Sequence, residues 1–113
     1  MRILFLDDDA ARHRKAHQLY GDDAIYVFNY REAVAAFGSA SQFDVAYLDH
    51  DLIEQTAAVE KTGYDVAKYI VSLPAEQRPK RVIIHSHNEL GRERMAELLT
   101  KAGCQVSIEP FQI

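Results

Sequence analysis

Leu48-Asp49-His50-Asp51-Leu52 follows directly on the apolar run Val45-Ala46-Tyr47. Apolar residues stop, carboxylates and an imidazole begin, and then an apolar residue resumes. Charged groups are costly to bury without partners, so a strand that ends this way delivers them to a rim or crevice. Ile3-Leu4-Phe5-Leu6 stops in the same manner at Asp7-Asp8-Asp9, and Val82-Ile83-Ile84 stops at His85-Ser86-His87-Asn88. Apolar strands that each release acids or histidines at their C-terminal ends imply one shared polar site.

Apolar runs and helical patterns alternate along the whole chain. Ile3–Leu6 reads as a buried strand, and Asp9 caps a helix over Ala10–Tyr20 that Gly21 stops. Ala24–Phe28 reads as a second strand, rich in β-branched and aromatic residues. Asn29 and Glu32 form a capping-box pair ahead of a helix with Ala33, Val34 and Phe37 on one face. Val45–Leu48 is the third strand, and the polar stretch Glu54–Lys61 behind it is the expected mobile loop. Thr62 and Asp65 open a helix that turns Val66, Ala67, Ile70 and Val71 inward. Arg81–Ile84 is strand four; Met95, Leu98, Leu99 and Ala102 stripe the last helix, and Gln105–Ile108 is the final strand.

This alternation predicts an α/β fold, with parallel strands joined by right-handed crossovers and helices on both faces of the sheet. Ligands in such sheets bind outside the carboxyl ends of the strands, at the switch point. All the polar strand ends fall on that edge.

The chain has 113 residues, which is one domain with a real core. It holds no apolar run long enough to span a bilayer. The first strand starts at once, leaving no room for a signal peptide, and Cys104 stands alone, so neither a disulfide framework nor a cysteine-based zinc site is expected. A reduced, cytoplasmic compartment is the expectation. A formal charge of −4 argues against broad electrostatic binding of nucleic acid and leaves a small phosphorylated ligand or an RNA terminus as the expected partner. Oligomeric state is not legible.

Ile3-Leu4-Phe5-Leu6-Asp7-Asp8-Asp9 and Phe43-Asp44-Val45-Ala46-Tyr47-Leu48-Asp49 resemble the receiver domain of response regulators. The resemblance implies a flavodoxin-like fold with a five-stranded parallel sheet. By it, Asp7 and Asp8 match the acidic pair that holds a divalent metal, Asp49 the phosphoacceptor, Ser86 the hydroxyl residue after strand four, and Gly63 the glycine after the acceptor loop. Departures are equally plain. Glu109 stands before Pro110 where receivers carry a lysine, and a glutamate there is expected to repel the acceptor phosphate. The chain stops at Ile113 without the last receiver helix, and the stretch between Asp49 and Gly63 is longer than usual.

A narrower family fits better. Leu48-Asp49-His50-Asp51-Leu52, Thr62-Gly63-Tyr64-Asp65-Val66 and the segment from His85-Ser86-His87-Asn88 to Gly91-Arg92-Glu93-Arg94-Met95 are similar to the cyclic-phosphate processing receivers. That resemblance implies a receiver scaffold turned into a phosphoesterase-like site for a 2′,3′-cyclic RNA end or a cyclic nucleotide. A non-catalytic receiver-derived binding or signalling module, phosphorylated on Asp49, is the alternative.

Asp7, Asp8, Asp49 and Asp51 cannot all stay ionised in one crevice without a cation, so a divalent metal is expected there. Oxygen ligands favour Mg²⁺ or Ca²⁺, and an added imidazole moves the preference toward Mn²⁺, Zn²⁺ or another transition metal, with Mg²⁺ or Mn²⁺ the expected ion. Such an ion polarises a phosphoryl oxygen and activates a bound water. His50 or His85 would then move the proton that the departing alkoxide requires, with Asp49 as metal ligand or nucleophile. Arg92, in the first turn of the last helix, together with Ser86 and Asn88, would bind the phosphate. His13 and His17 read as solvent-facing, Arg12 as a helix salt-bridge partner of Asp8, and Arg78-Lys80-Arg81 as a solvated face.

Overall fold

The computed structural model describes residues 1–39, 41–52 and 61–112. The five strands are β1 (Ile3–Leu6), β2 (Ile25–Val27), β3 (Val45–Leu48), β4 (Arg81–Ile84) and β5 (Val106–Ile108). The helices are α1 (Ala10–Tyr20), α2 (Tyr30–Phe37), α3 (Gly63–Ser72) and α4 (Glu89–Lys101), with a short 3₁₀ turn over Ala75–Gln77. All strands pair in parallel in the order β2-β1-β3-β4-β5, the flavodoxin-like arrangement that the alternation predicts. No helix follows β5 among the described residues, and none of them is long and apolar enough to cross a membrane. The expected loop at 54–61 lies, except for Lys61, outside the described residues.

Side chains of successive strand residues point to opposite faces. Leu4, Leu6, Ala46, Leu48, Val82 and Ile84 face the larger core, where α2 brings Phe37, α3 brings Val66 and Ile70, and α4 brings Met95 and Leu99. Phe5 points the other way, onto Ala16 of α1 and Phe111 of the C-terminal tail, with Tyr20, Tyr26 and Tyr47 around them. Both faces are therefore covered, the second by α1 and the tail.

The helix starts follow their signals. Asp9 accepts from the N–H groups of Ala11 and Arg12, and Thr62 with Asp65 forms a full capping box. At α2 the box is offset: Asn29 accepts from Glu32, but the Glu32 carboxylate reaches back to the N–H of Phe28 at 2.8 Å rather than to that of Asn29.

Arg78 is not a solvated residue, contrary to its reading in the sequence. Its guanidinium donates to the carbonyls of Val71, Leu73 and Ala102 at 2.8, 2.9 and 2.9 Å, closing the C-terminal ends of α3 and α4 together. The last carbonyls of a helix lack internal partners and carry partial negative charge, which a cation satisfies. Arg78→Ala is expected to cost about 2–3 kcal/mol of stability, read as a lower urea midpoint with an unchanged slope. Lys80 and Arg81 make only exposed ion pairs, with Asp44 and Glu109.

Candidate functional site at the β1/β3/β4 edge

The register of the sheet builds the site. Leu6 pairs with Leu48, and Leu48 pairs with Ile84, so these residues form one row across β1, β3 and β4. Asp7, Asp49 and His85 are the next residue on each strand. The N–H of Asp49 bonds to Leu6 and that of His85 to Leu48, so the ladder carries to the edge. Neighbouring strands lie about 4.8 Å apart. Asp7 and His85 start two such spacings apart, on either side of β3, and their side chains converge over it, so that one ligand atom from each of Asp7, Asp49 and His85 lies within 4.8 Å of the others. β1 and β3 flank the point where the chain's connections diverge, which is where doubly wound sheets bind ligands.

All three side chains are buried. Asp7 is heavily bonded: Oδ1 accepts from the N–H of Asp9 at 2.9 Å, and Oδ2 from Arg12 Nε at 2.7 Å, with His85 Nε2 at 2.8 Å. Burial alone would raise its pKa, but the bonds from His85, Arg12 and Asp9 outweigh burial and hold the carboxyl down at about 2. Asp49 behaves in the opposite way. Burial and the adjacent Asp7 charge push it up to about 6, although His85, the N–H of His50 and Arg12 pull it back. Two carboxylates on one edge thus titrate far apart, a division found where one group must stay ionised while its neighbour changes protonation.

His85 stacks on Phe5, with ring centres 4.9 Å apart and planes 9° apart, and meets Phe111 edge-on. Its Nδ1 is buried with no hydrogen-bond partner among the described atoms. A buried imidazole left half-satisfied in aromatic surroundings calls for a functional explanation.

Around this floor opens a cleft of about 580 Å³, lined by Asp8, Arg12, Asp49, Asp51, His85, Ser86, His87 and Asn88. His50 Nδ1 pairs with Asp51 Oδ1 at 2.8 Å, and Asn88 Nδ2 donates to the same oxygen at 3.1 Å. The His50 bond holds the Asp51 carboxyl below its ordinary range. Gly91 of α4 lies against the His50 ring so closely that a Cβ there would sit 2.5 Å from the ring carbons. Asp51 belongs to this dyad at the rim; the compact ligand group is Asp7, Asp49 and His85, with Asp8 at the side. Asn88 Oδ1 caps α4 through the N–H of Gly91, and Ser86 Oγ accepts from the N–H of Asn88. Arg92 does not line the cleft; its Nη1 lies 3.4 Å from the carbonyl of Ser86.

Other side chains stand elsewhere than their sequence positions suggested. His13 is buried, not solvent-facing; its Nε2 lies 2.7 Å from the carbonyl of Asp7, and its ring stacks on Phe28 at 3.8 Å. Only His17 is exposed, stacked on Tyr26. Arg12 keeps its expected i,i+4 pairing with Asp8, at 3.7 Å, but its shorter bond is to Asp7 and it also comes within 3.7 Å of Asp49. Glu109 does not line the cleft. Its carboxylate turns back along β5 to Ser107 Oγ at 2.8 Å and Arg81 at 3.3 Å.

An order of 2-1-3-4-5 with an acidic site at the ends of β1 and β3 defines a receiver-type domain, and solved structures agree. A response regulator receiver domain (CheY-like) from Methylobacillus flagellatus superposes with a TM-score of 0.67 at 21% identity, covering 100% of this chain and 87% of that one. One from Methanospirillum hungatei JF-1 gives 0.63 at 19% identity, covering 98% and 82%. A response regulator from Burkholderia pseudomallei, solved with a phosphorylated aspartic acid, a calcium ion and citrate, gives 0.59 at 16%, covering 98% and 61%. These likenesses establish the fold. Within it, the chain belongs to the cyclic-phosphate processing receiver domain family, whose profile matches residues 2–101. No curated protein matches it.

Proposed function

We propose that this domain is a metal-dependent phosphoesterase that opens a cyclic phosphate, either a 2′,3′-cyclic RNA end or a cyclic nucleotide. The observation that carries this reading is the buried Asp7–Asp49–His85 group at the floor of a nucleotide-sized cleft, in a chain of the cyclic-phosphate family. Two carboxylates and an imidazole suit Mg²⁺ or Mn²⁺. Asp49 Oδ2 accepts no hydrogen bond among the described residues, which leaves a carboxylate oxygen open to such an ion beside Asp7 and the Nε2 side of His85. Asp7, Asp49 and His85 would hold it, with Asp8 beside them. The ion would supply Lewis-acid polarisation of a phosphoryl oxygen and a more acidic water.

Hydrolysis joins the oxygen of water to phosphorus, breaks one ring P–O bond and delivers a proton to the departing alkoxide. His50 is placed for that proton. Its Nδ1 is engaged by Asp51 at 2.8 Å, which orients the ring, as a carboxylate does for a general base in hydrolases. Ser86 and Asn88 line the wall on which the phosphate would rest. In the metal-free protein Asp7 is ionised, its carboxyl held down at about 2, while Asp49 is pushed up to about 6 by burial and the Asp7 charge.

The test is turnover of 2′,3′-cyclic and 3′,5′-cyclic nucleotides by purified protein with Mg²⁺ or Mn²⁺. His50→Ala and Asp49→Ala are expected to lower the rate about a hundredfold. Intact substrate in every metal sinks the reading. One observation favours a second role: the unbonded Asp49 Oδ2 is also the atom a phosphoryl group would join, so a mass gain from acetyl phosphate, lost in Asp49→Asn, would mark a phosphoacceptor module.

A further inference from the structure

Arg12 is the one permanently charged cation among the described residues lining the cleft. It reaches the floor from the first turn of α1. Nε bonds Asp7 Oδ2 at 2.7 Å, Nη2 lies 3.7 Å from both Asp8 Oδ1 and Asp49 Oδ2, and Nη1 lies 3.8 Å from Asp9. No lysine stands at the end of β5 to share this task, and Glu109, which takes that position, is turned away to Arg81 and Ser107. One guanidinium thus offsets the carboxylates of the β1 and β3 ends.

This placement conflicts with a metal ion. Both oxygens of Asp7, which would help hold an ion, are already engaged: Oδ1 accepts from the N–H of Asp9 and Oδ2 from Arg12, with His85 Nε2 at 2.8 Å from Oδ2. The approach of Nη2 to Asp8 and Asp49 puts the positive charge in the space between them. A divalent ion a few Å from a fixed guanidinium meets a repulsion of several kcal/mol at the effective dielectric of a protein edge. Only Nε–H makes a described hydrogen bond, so the two Nη groups keep donors for another oxygen ligand.

We propose that Arg12 is the resident cation of the cleft: it neutralises Asp7, Asp8 and Asp49 in the metal-free protein, and must withdraw from Asp7 before a divalent ion can bind. Once withdrawn, its planar fork is free to grip a non-bridging phosphate oxygen, so metal entry and phosphate capture are coupled through one side chain. This rests on the metal-dependent reading above, but it is tested without turnover.

Mn²⁺ is titrated into metal-free wild type, Arg12→Ala and Arg12→Gln at neutral pH, with free Mn²⁺ read by its electron paramagnetic resonance signal. Both variants remove the competing charge, and each is expected to bind Mn²⁺ about tenfold tighter or more than wild type. Arg12→Gln retains a donor for Asp7, so it separates the charge from the hydrogen bond. If Arg12→Ala folds only with metal, its melting temperature must rise more steeply with Mn²⁺ concentration than that of wild type, which supports the same conclusion. Equal affinities in all three proteins, or no Mn²⁺ binding by any of them, overturn it. Tighter Mn²⁺ binding in a protein that cleaves no cyclic phosphate would leave this inference standing while the catalytic reading falls.

Discussion

Gly63→Ala is expected to destabilise the protein by about 4 kcal/mol or more and to lower its melting temperature by roughly 15–25 °C. A Cβ at this position would overlap the carbonyl oxygen of Asp49, and it would lie 2.8 Å from the carbon of that carbonyl and 2.9 Å from the Cα of His50. Those atoms are backbone at the end of β3, and they cannot swing aside as a side chain does. The N–H of Gly63 also bonds the carbonyl of His50 at 2.7 Å, which seats the start of α3 directly on the turn after β3. Space, not backbone conformation, demands glycine here. Relief would require moving either α3, which carries Val66, Ala67 and Ile70 into the core, or the segment that presents Asp49 and His50. Thermal melting and Mn²⁺ binding, measured together, distinguish the two. A variant that melts within a few degrees of wild type would show that the close approach does not exist.

Asp49→Asn is expected to do the reverse and stabilise the metal-free protein at pH 7 by about 2–3 kcal/mol. The folded-state pKa of Asp49 is pushed up to about 6, first by burial and then by the Asp7 charge. Because this exceeds the value of about 3.9 in the unfolded chain, the folded state binds the extra proton between pH 4 and 6. Stability from this group is therefore full below pH 4 and lost as pH rises through 6. Asparagine keeps an oxygen for the N–H of His50, which Asp49 Oδ1 accepts at 2.9 Å, and carries no charge to desolvate. The gain over wild type should amount to roughly 10 °C at pH 7 and vanish near pH 4. Asp7 has the opposite sign. Its pKa is held down to about 2, so its contribution is present above pH 4 and disappears as pH falls toward 2. A wild-type profile with its maximum between pH 4 and 5 follows, and urea midpoints across pH 2–8 measure it. A difference between the two proteins that does not grow from pH 4 to 7 would contradict the raised pKa.

Much of this edge was legible before any coordinates, for a local reason. An apolar strand followed at once by acids or histidines must release them at an end, and alternation with helices makes those ends coincide. Asp7, Asp49 and His85 meet because Leu6, Leu48 and Ile84 share one register row. The caps at Asp9 and Thr62 were local in the same sense. What escaped was non-local. His13 looked exposed because its partners are non-local: the carbonyl of Asp7 and the ring of Phe5 from β1, and Phe28 just after β2. Arg12 showed its neighbour at i−4, but its target at i−5 depends on how α1 leaves the sheet. The approaches of Gly63 to Asp49 and of Gly91 to His50 join segments far apart or bent back on each other. Glu109 was the exception that local reasoning had the means to find: Ser107 and Glu109, two apart on one strand, must share a face.

The single register row behind the site has an evolutionary consequence. Each cleft-floor residue is the first position beyond its strand, so its side chain lies outside the strand ladder, although His85 also packs on Phe5 and Phe111. Such a layout separates heritable frame from exchangeable chemistry. Substitution at 7, 49 or 85 changes the groups this edge presents, whereas an insertion of one residue within β1, β3 or β4 would turn every following side chain to the opposite face and erase the edge altogether.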